Sequence, residues 1–132
     1  MQWYFKVFRH YFDFRGRASR AEFWWFVFIN AIVSFIISIP YGFAIATENE
    51  GLALFFQMIV SLYSLGTIIP RLAVTARRLH DTGRSGLNYL WMLLPVIGWL
   101  LVFYWLVSRS EEARNHWGPD PRIIDYKAQV QF

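Results

Sequence analysis

Residues 23–47 read FWWFVFINAIVSFIISIPYGFAIAT, a run of 25 residues without a charged side chain. Two more uncharged runs follow, GLALFFQMIVSLYSLGTIIP over residues 51–70 and SGLNYLWMLLPVIGWLLVFYWLVS over residues 85–108. A helix needs about 20 mostly apolar residues to cross the hydrocarbon core of a bilayer. A soluble helix would instead carry charged residues along one face. The pattern predicts an integral membrane protein, and the alternative is a soluble all-α bundle with buried central helices.

The composition agrees with a membrane protein of one domain. Of the 132 residues, 56% are hydrophobic and 17% are charged, whereas soluble domains average about 45–50% and about 25%. The absence of cysteine excludes a disulfide framework and a cysteine-ligated metal site. Lys6 interrupts the first apolar run, so we expect no cleavable signal peptide. The expected membrane segments are residues 21–46, 51–72 and 86–108.

The charges in the connecting segments predict how the protein is oriented. Residues 1–22 hold five basic and two acidic side chains, and residues 71–84 hold four basic and one acidic. Between them, the loop over residues 47–51 carries only two glutamates. Because basic loops stay in the cytoplasm, we expect a cytoplasmic N-terminus and an external first loop. The arginines flank membrane segments instead of forming one soluble face, so we expect no nucleic-acid partner.

The third uncharged run permits two topologies. Residues 94–98 read LPVIG in its middle, and proline without its amide next to flexible glycine can kink or reverse a span. We favour one crossing, because the run is long enough for one. A re-entrant hairpin is the alternative and would return the tail to the cytoplasm.

Residues 2–13 are predicted to form an amphipathic helix with a charged face and an aromatic face. Such a helix suits the headgroup boundary of a membrane. The alternative is packing on the protein's own cytoplasmic surface. After it, Ser19 and Glu22 match a capping box, which predicts that the first span begins near Arg20.

The candidate functional residues lie in two polar segments beside the membrane spans. They are Arg15, Arg17, Arg20, Arg77, Arg78, His80, Asp81 and Arg84. Their guanidinium groups could bind phosphate or acidic lipid headgroups. The alternative, which we favour, is a structural network in which Asp81 pairs with an arginine. No second histidine completes a metal site near His80, no catalytic or nucleotide motif occurs, and we expect neither a metal nor a cofactor.

Four motifs carry a family resemblance. They are MQWY at residues 1–4, FRGRASRAEFW at 14–24, ARRLHDTGRS at 76–85 and NHWGPDP at 115–121. In this order they resemble the domain-of-unknown-function 805 family of small bacterial inner-membrane proteins. The resemblance implies one multi-span α-helical membrane domain over residues 1–122, with residues 123–132 as a flexible extension. It implies no established activity and no catalytic residues. If residues 115–121 join the other motifs in the cytoplasm, the third run must be a hairpin.

Three functions compete at this point. The first is a non-catalytic scaffold that binds anionic headgroups or a membrane-protein partner. The second is an oligomeric transporter or channel component that uses the polar residues of the spans: Asn30, Ser34, Ser38, Gln57, Ser61 and Ser64. The third is an enzyme at the membrane interface that uses His80 and Asp81. We prefer the first, since the three uncharged runs hold none of the Asp, Glu, Lys, Arg or His side chains that mark ion and proton routes. We therefore expect no enzymatic activity, and we expect the bilayer, anionic lipid and further copies of the chain as partners.

Overall fold

The computed structural model describes residues 2–130, which form five α-helices and one 3₁₀ helix. The helices are α1 (Gln2–Arg9), α2 (Arg20–Ala46), α3 (Glu50–Asp81), the 3₁₀ helix Gly86–Leu93, α4 (Ile97–Val107) and α5 (Pro121–Val130). Apart from an isolated bridge between Asn115 and Gly118, these residues form no β-structure. The predicted all-α class is therefore confirmed.

Helices α2 and α3 form an antiparallel hairpin that is long enough to cross a membrane. They contain 27 and 32 residues, and only 11% of the most apolar window of each is buried inside the protein. The core helices of a soluble bundle would be mostly buried. Here large apolar side chains such as Phe35 and Leu62 remain 69% and 63% exposed. The soluble alternative does not fit, because burial of such side chains drives soluble folding.

The start of α2 agrees with the predicted cap. Ser19 Oγ accepts a hydrogen bond from the Glu22 backbone N–H at 3.2 Å, and the helix begins at Arg20. The reciprocal half of the capping box is replaced by another contact. The Glu22 carboxylate accepts from Arg77 Nη1 at 2.6 Å, because a cation is a stronger partner for a buried carboxylate than a backbone amide.

Helix α1 packs on the protein's own helices. Val7 is fully buried in a core that also contains Phe23, Phe26 and Val74, and the Tyr4 ring stacks on Phe26 with centroids 5.6 Å apart. The predicted helix over residues 2–13 is therefore shorter, ending at Arg9. Its apolar face, which we had expected at the headgroup boundary, is occupied by α2 and α3.

Polar residues link the helices near the middle of the hairpin. Tyr63 of α3 donates to Asn30 Oδ1 of α2 at 2.8 Å, and the Tyr4 and Tyr63 hydroxyls lie 3.3 Å apart. Ser38 instead donates to the Phe35 carbonyl of its own helix. The hydrogen bonds of Asn30 and Tyr63 thus serve helix packing, whereas that of Ser38 stays within α2.

Helix α3 continues beyond the expected second span. We predicted a span over residues 51–72 followed by a loop over 71–84, but the helix extends to Asp81. Ala73, Val74 and Leu79 are fully buried on this last part. Their packing keeps the basic segment helical, so Arg77, Arg78, His80 and Asp81 lie on the last turns of a helix.

The third apolar run is not one crossing helix, which corrects the preferred topology for residues 86–108. The 3₁₀ helix and α4 are separated by a tight turn in which Ile97 N–H donates to the Pro95 carbonyl at 2.8 Å. Trp99 Nε1 then donates back to the Met92 carbonyl at 2.9 Å. Pro95 cannot donate an amide, and the 11 residues of α4 are too few for a crossing.

The chain after α4 returns to the end of the hairpin where α1 and the end of α3 lie. Glu111 N–H donates to the Asp81 carbonyl oxygen at 2.8 Å. Residues 123–130, which belong to the expected flexible extension over 123–132, form most of α5, where Asp125 pairs with Lys6 at 3.0 Å. Residues 131 and 132 lie outside the described part of the chain.

Candidate functional site

A fully buried carboxylate, Asp81, is the centre of the polar cluster. Its Oδ1 accepts from Arg17 Nε at 3.0 Å and lies 2.9 Å from Arg17 Nη2. Its Oδ2 accepts from Arg78 Nη1 and from Ser110 Oγ. A buried charge is tolerated only when it is paired and hydrogen-bonded. Asp81 therefore joins three segments: the one before α2, the end of α3 and the returning tail.

Arg17 uses its remaining donors on the tail. Its guanidinium donates to the carbonyls of Ala113 at 2.7 Å and Glu111 at 2.5 Å. Its side chain is only 1% exposed. Its five N–H donors therefore face groups of the chain, and a lipid headgroup has no access to them.

Arg78 binds the end of α4 in the same way. Its Nε donates to the Leu106 carbonyl at 2.9 Å, and its Nη2 donates to the Ser108 carbonyl. These are carbonyls at the end of a helix, which have no partner inside the helix. Arg78 thus caps α4 and holds the hairpin against α3.

A second ionic group joins α1, α2, α3 and α5. Arg77 Nη1 lies 2.6 Å from Glu22 Oε1, Lys6 Nζ lies 3.1 Å from Glu22 Oε2, and Lys6 also pairs with Asp125. Burial lowers the pKa of Lys6, but the charges of Glu22 and Asp125 outweigh it, so the pKa is raised above its usual value. Lys6 therefore stays charged at neutral pH and links the two carboxylates.

His80 is fixed by stacking and by a backbone hydrogen bond. Its ring lies 3.8 Å from that of Trp117 with an angle of 4° between the planes. Its Nδ1 lies 3.0 Å from the Gly16 carbonyl, which can only accept, so Nδ1 carries the proton. The imidazole thus points toward Gly16 and Trp117, while the Asp81 carboxylate points toward two arginines. The His80–Asp81 pair that an interface enzyme would need is not formed.

Arg84 follows a sharp end of α3. Gly83 has a φ of +77°, Gly83 N–H donates to the His80 carbonyl, and Arg84 N–H donates to the Leu79 carbonyl. This is a Schellman ending, in which glycine takes the left-handed conformation. The Arg84 guanidinium lies 5.1 Å from the centroid of Trp105 and is partly exposed. Its Nη1 donates to the Thr82 carbonyl at 3.2 Å, and stacking on an aromatic ring leaves its other edge donors available.

Arg15 and Arg20 complete the candidate set at the surface. Both are exposed, and within residues 2–130 neither forms an ion pair. Arg20 Nη1 makes one long contact, 3.5 Å to the Val107 carbonyl. The eight candidates therefore divide into two groups. Arg17, Arg77, Arg78, His80 and Asp81 are buried in the network, and Arg15, Arg20 and Arg84 reach the surface.

The structure adds residues that sequence reasoning had not assigned to the site. Glu22, Lys6, Ser110 and Trp117 all contact the network. Trp117 could have been found from the motif at residues 115–121, to which it belongs. Ser110 lies in none of the four motifs, so nothing in the sequence indicated that it contacts Asp81. Among the described residues, no group of three histidine, aspartate or glutamate side chains could hold a metal ion.

These features define a class. The chain has two long helices with exposed apolar surfaces, a third apolar run folded as a hairpin, and a buried ionic network at one end. This combination is that of a small all-α integral membrane protein. Residues 11–119 match the family described as "protein of unknown function (DUF805)", and the chain belongs to this family.

Known relatives place the protein in a bacterial inner membrane. The inner membrane protein YhaI of Escherichia coli K12 is 40% identical over 123 residues, covering 93% of this chain and 98% of YhaI. The inner membrane protein YhaH of the same strain is 36% identical over 126 residues, with the same coverage. The uncharacterized protein YiiR is 27% identical over 148 residues, covering 89% of this chain and 91% of YiiR. No solved structure matches the chain significantly.

Proposed function

We propose that this protein is a non-catalytic membrane scaffold that binds anionic lipid headgroups at its cytoplasmic end. One observation carries the proposal: the candidate arginines divide into a buried group, each paired with a carboxylate, and a surface group without carboxylate partners. The buried group stabilises the fold. The surface group, Arg15, Arg20 and Arg84, offers guanidinium forks at the membrane boundary, where phosphate groups are concentrated.

The orientation follows from the distribution of charge between the two ends. The end with α1, the last turns of α3 and the tail carries every basic residue of the chain, whereas the loop between α2 and α3 carries exposed Glu48 and Glu50. Basic segments near spans are retained in the cytoplasm. We infer a multi-pass protein whose N-terminus and tail are both cytoplasmic and whose α2–α3 loop is external.

The network supports a structural role for the buried cluster. The guanidinium groups of Arg17 and Arg78 donate hydrogen bonds to Asp81 and to backbone carbonyls. A reactive site would need a group that is held in place and yet accessible to substrate. Asp81 is held in place but is 0% exposed, which favours the scaffold over the enzyme.

The test is stability in vesicles of two compositions. The parent is reconstituted in phosphatidylcholine alone and in equal parts of phosphatidylcholine and phosphatidylglycerol. We expect a higher unfolding temperature in the second, and loss of most of that increase in the triple variant Arg15→Gln, Arg20→Gln, Arg84→Gln. The control variant Arg9→Gln, Arg109→Gln, Arg114→Gln removes three exposed arginines from the same end. Equal unfolding temperatures for the parent in both vesicles, or an equal loss in the control, would contradict the proposal.

A further inference from the structure

Two adjoining cavities meet at the first residues of α2. One is an open apolar groove of about 480 Å³ lined by Trp24, Trp25 and Phe28, with Arg20 and Ala21 at one end. The other, of about 290 Å³, shares Arg20 and Ala21 with the groove. Its further lining combines the aromatic side chains of Trp3 and Tyr126 with polar groups that the groove lacks, namely those of Ser19, Ser110, Arg122 and Asp125. Because the two cavities adjoin at Arg20 and Ala21, a ligand lying across these residues would contact polar groups on one side and the aromatic groove on the other.

We infer that this site binds a single anionic glycerophospholipid, with the phosphate against Arg20 and an acyl chain along the groove. The inference rests on the proposed function and deepens it, because it assigns headgroup binding to one arginine and one groove. A general attraction of the surface arginines for a charged membrane would need no groove.

The charges around the polar cavity leave Arg20 unneutralised. Arg122 also lines the cavity, but its guanidinium is held by Asp120, with Nη2 2.6 Å from Oδ2. Asp125, a further lining residue, is paired with Lys6 at 3.0 Å. Arg20 makes only the 3.5 Å contact with a carbonyl. A phosphate could accept two parallel hydrogen bonds from its fork, which is the geometry that arginine offers best.

The depth of the groove matches the position of an acyl chain. Arg20 is the first residue of α2, and Phe28 lies eight residues further, or about 12 Å along the axis of an α-helix. Because this helix enters the apolar layer from its first turns, the polar cavity lies at the headgroup level and the groove beside the hydrocarbon. The Trp25 and Phe28 side chains, which line the groove, are 48% and 58% exposed, and their ring centroids lie 6.0 Å apart.

The site can be tested by native mass spectrometry of the protein in detergent with added phosphatidylglycerol or phosphatidylcholine. We expect the parent to retain one phosphatidylglycerol in preference to phosphatidylcholine. Arg20→Gln should weaken this retention about tenfold, the usual size for loss of a charge-assisted hydrogen bond. Arg114→Gln, which removes an exposed arginine outside both cavities, should leave it unchanged.

The apolar part has its own matched pair of variants. Phe28→Ala should reduce retention, whereas Phe35→Ala should not, because Phe35 lies on the same helix, is 69% exposed and does not line the groove. Added inorganic phosphate should not displace the lipid, since it cannot fill the groove.

The outcomes separate the two proposals. If Arg20→Gln retains phosphatidylglycerol as well as the parent does, or Phe35→Ala weakens retention as much as Phe28→Ala, the specific site is wrong while general headgroup binding survives. An equal loss in Arg114→Gln and Arg20→Gln would contradict both proposals. If inorganic phosphate displaces the lipid, the site binds soluble anions and the lipid assignment is wrong. If the parent shows no preference for phosphatidylglycerol, both proposals fail.

Discussion

Arg17 and Asp81 are 64 positions apart in the sequence, yet Arg17 Nε lies 3.0 Å from Asp81 Oδ1. Their side chains are 1% and 0% exposed, and Arg78 contacts the other oxygen of the same carboxylate. One negative charge thus serves two buried guanidinium groups. The segment before α2, the end of α3 and the tail depend on it together.

We expect Asp81→Asn to lower the free energy of unfolding by about 3–5 kcal/mol, because the amide leaves two buried guanidinium groups without an anion. Glu112→Gln, which neutralises an exposed carboxylate in the tail, should change it by less than about 0.5 kcal/mol. Denaturant titration in detergent measures both. Parent-like stability of Asp81→Asn would refute the structural role, and loss of biological activity with stability intact would instead indicate a chemical role for His80 and Asp81.

The hairpin over residues 86–108 predicts opposite effects for two neighbouring substitutions. Val96 has a φ of +63°, which costs a branched residue about 1–2 kcal/mol, so Val96→Gly should stabilise the protein. Gly98→Ala should destabilise it, because the new Cβ would lie 1.7 Å from the Trp91 carbonyl oxygen. If residues 86–108 formed a continuous helix, Val96→Gly would destabilise the protein and Gly98→Ala would stabilise it, because glycine inside a helix costs about 1 kcal/mol relative to alanine. Unfolding measurements on the two variants therefore distinguish a hairpin from a crossing.

The proposed topology predicts which side of the membrane labels each position. The chain has no cysteine, so Asn49→Cys, Ser85→Cys and Glu112→Cys each introduce one thiol. We expect an impermeant reagent to label Asn49→Cys from outside intact cells, and the other two only after the inner membrane is opened. Labelling of Glu112→Cys from outside would mean that the tail is external. Labelling of Asn49→Cys only from the cytoplasm would reverse the whole orientation.

We expect acid to remove a small contribution that the Asp120 carboxylate makes to the free energy of unfolding. The Arg122 side chain, by hydrogen bonding, holds the pKa of Asp120 below its usual value. A carboxyl whose pKa is lower in the folded state stabilises the protein above the unfolded pKa of about 3.9 and loses this effect as pH falls through the folded pKa. Because Arg122 is half exposed, we expect the Asp120–Arg122 pair to contribute less than about 1 kcal/mol to the free energy of unfolding.

Thermal unfolding of the parent and of Asp120→Asn between neutral and acidic pH tests this contribution. The parent should be the more stable at neutral pH, and the difference should shrink below about pH 4. A difference that is constant across this range would mean that the Asp120 charge contributes nothing.

Several features of the fold could be predicted from local patterns. The length of the uncharged run over residues 23–47 is enough to predict a span, and Ser19 next to it marks where the helix begins. Both signals depend on residues within a few turns of one another. The prediction of one crossing by residues 86–108 also rested on the length of an uncharged run. It was wrong, because the length of a run does not reveal that the chain reverses at Pro95 and Val96.

The sequence by itself determined that the chain forms long helices without charge, because charge is absent over helix-length runs and a water-exposed helix would carry it. The low burial of α2 and α3 then excluded a soluble bundle. The sequence also placed Asp81 among arginines. Only the tertiary structure decided that Arg17, Arg78 and Ser110 bind this carboxylate, that His80 stacks on Trp117, and that Arg20 stays at the surface. These contacts join segments far apart in the chain. Their geometry depends on how the helices pack and where the tail returns, which no local spacing encodes.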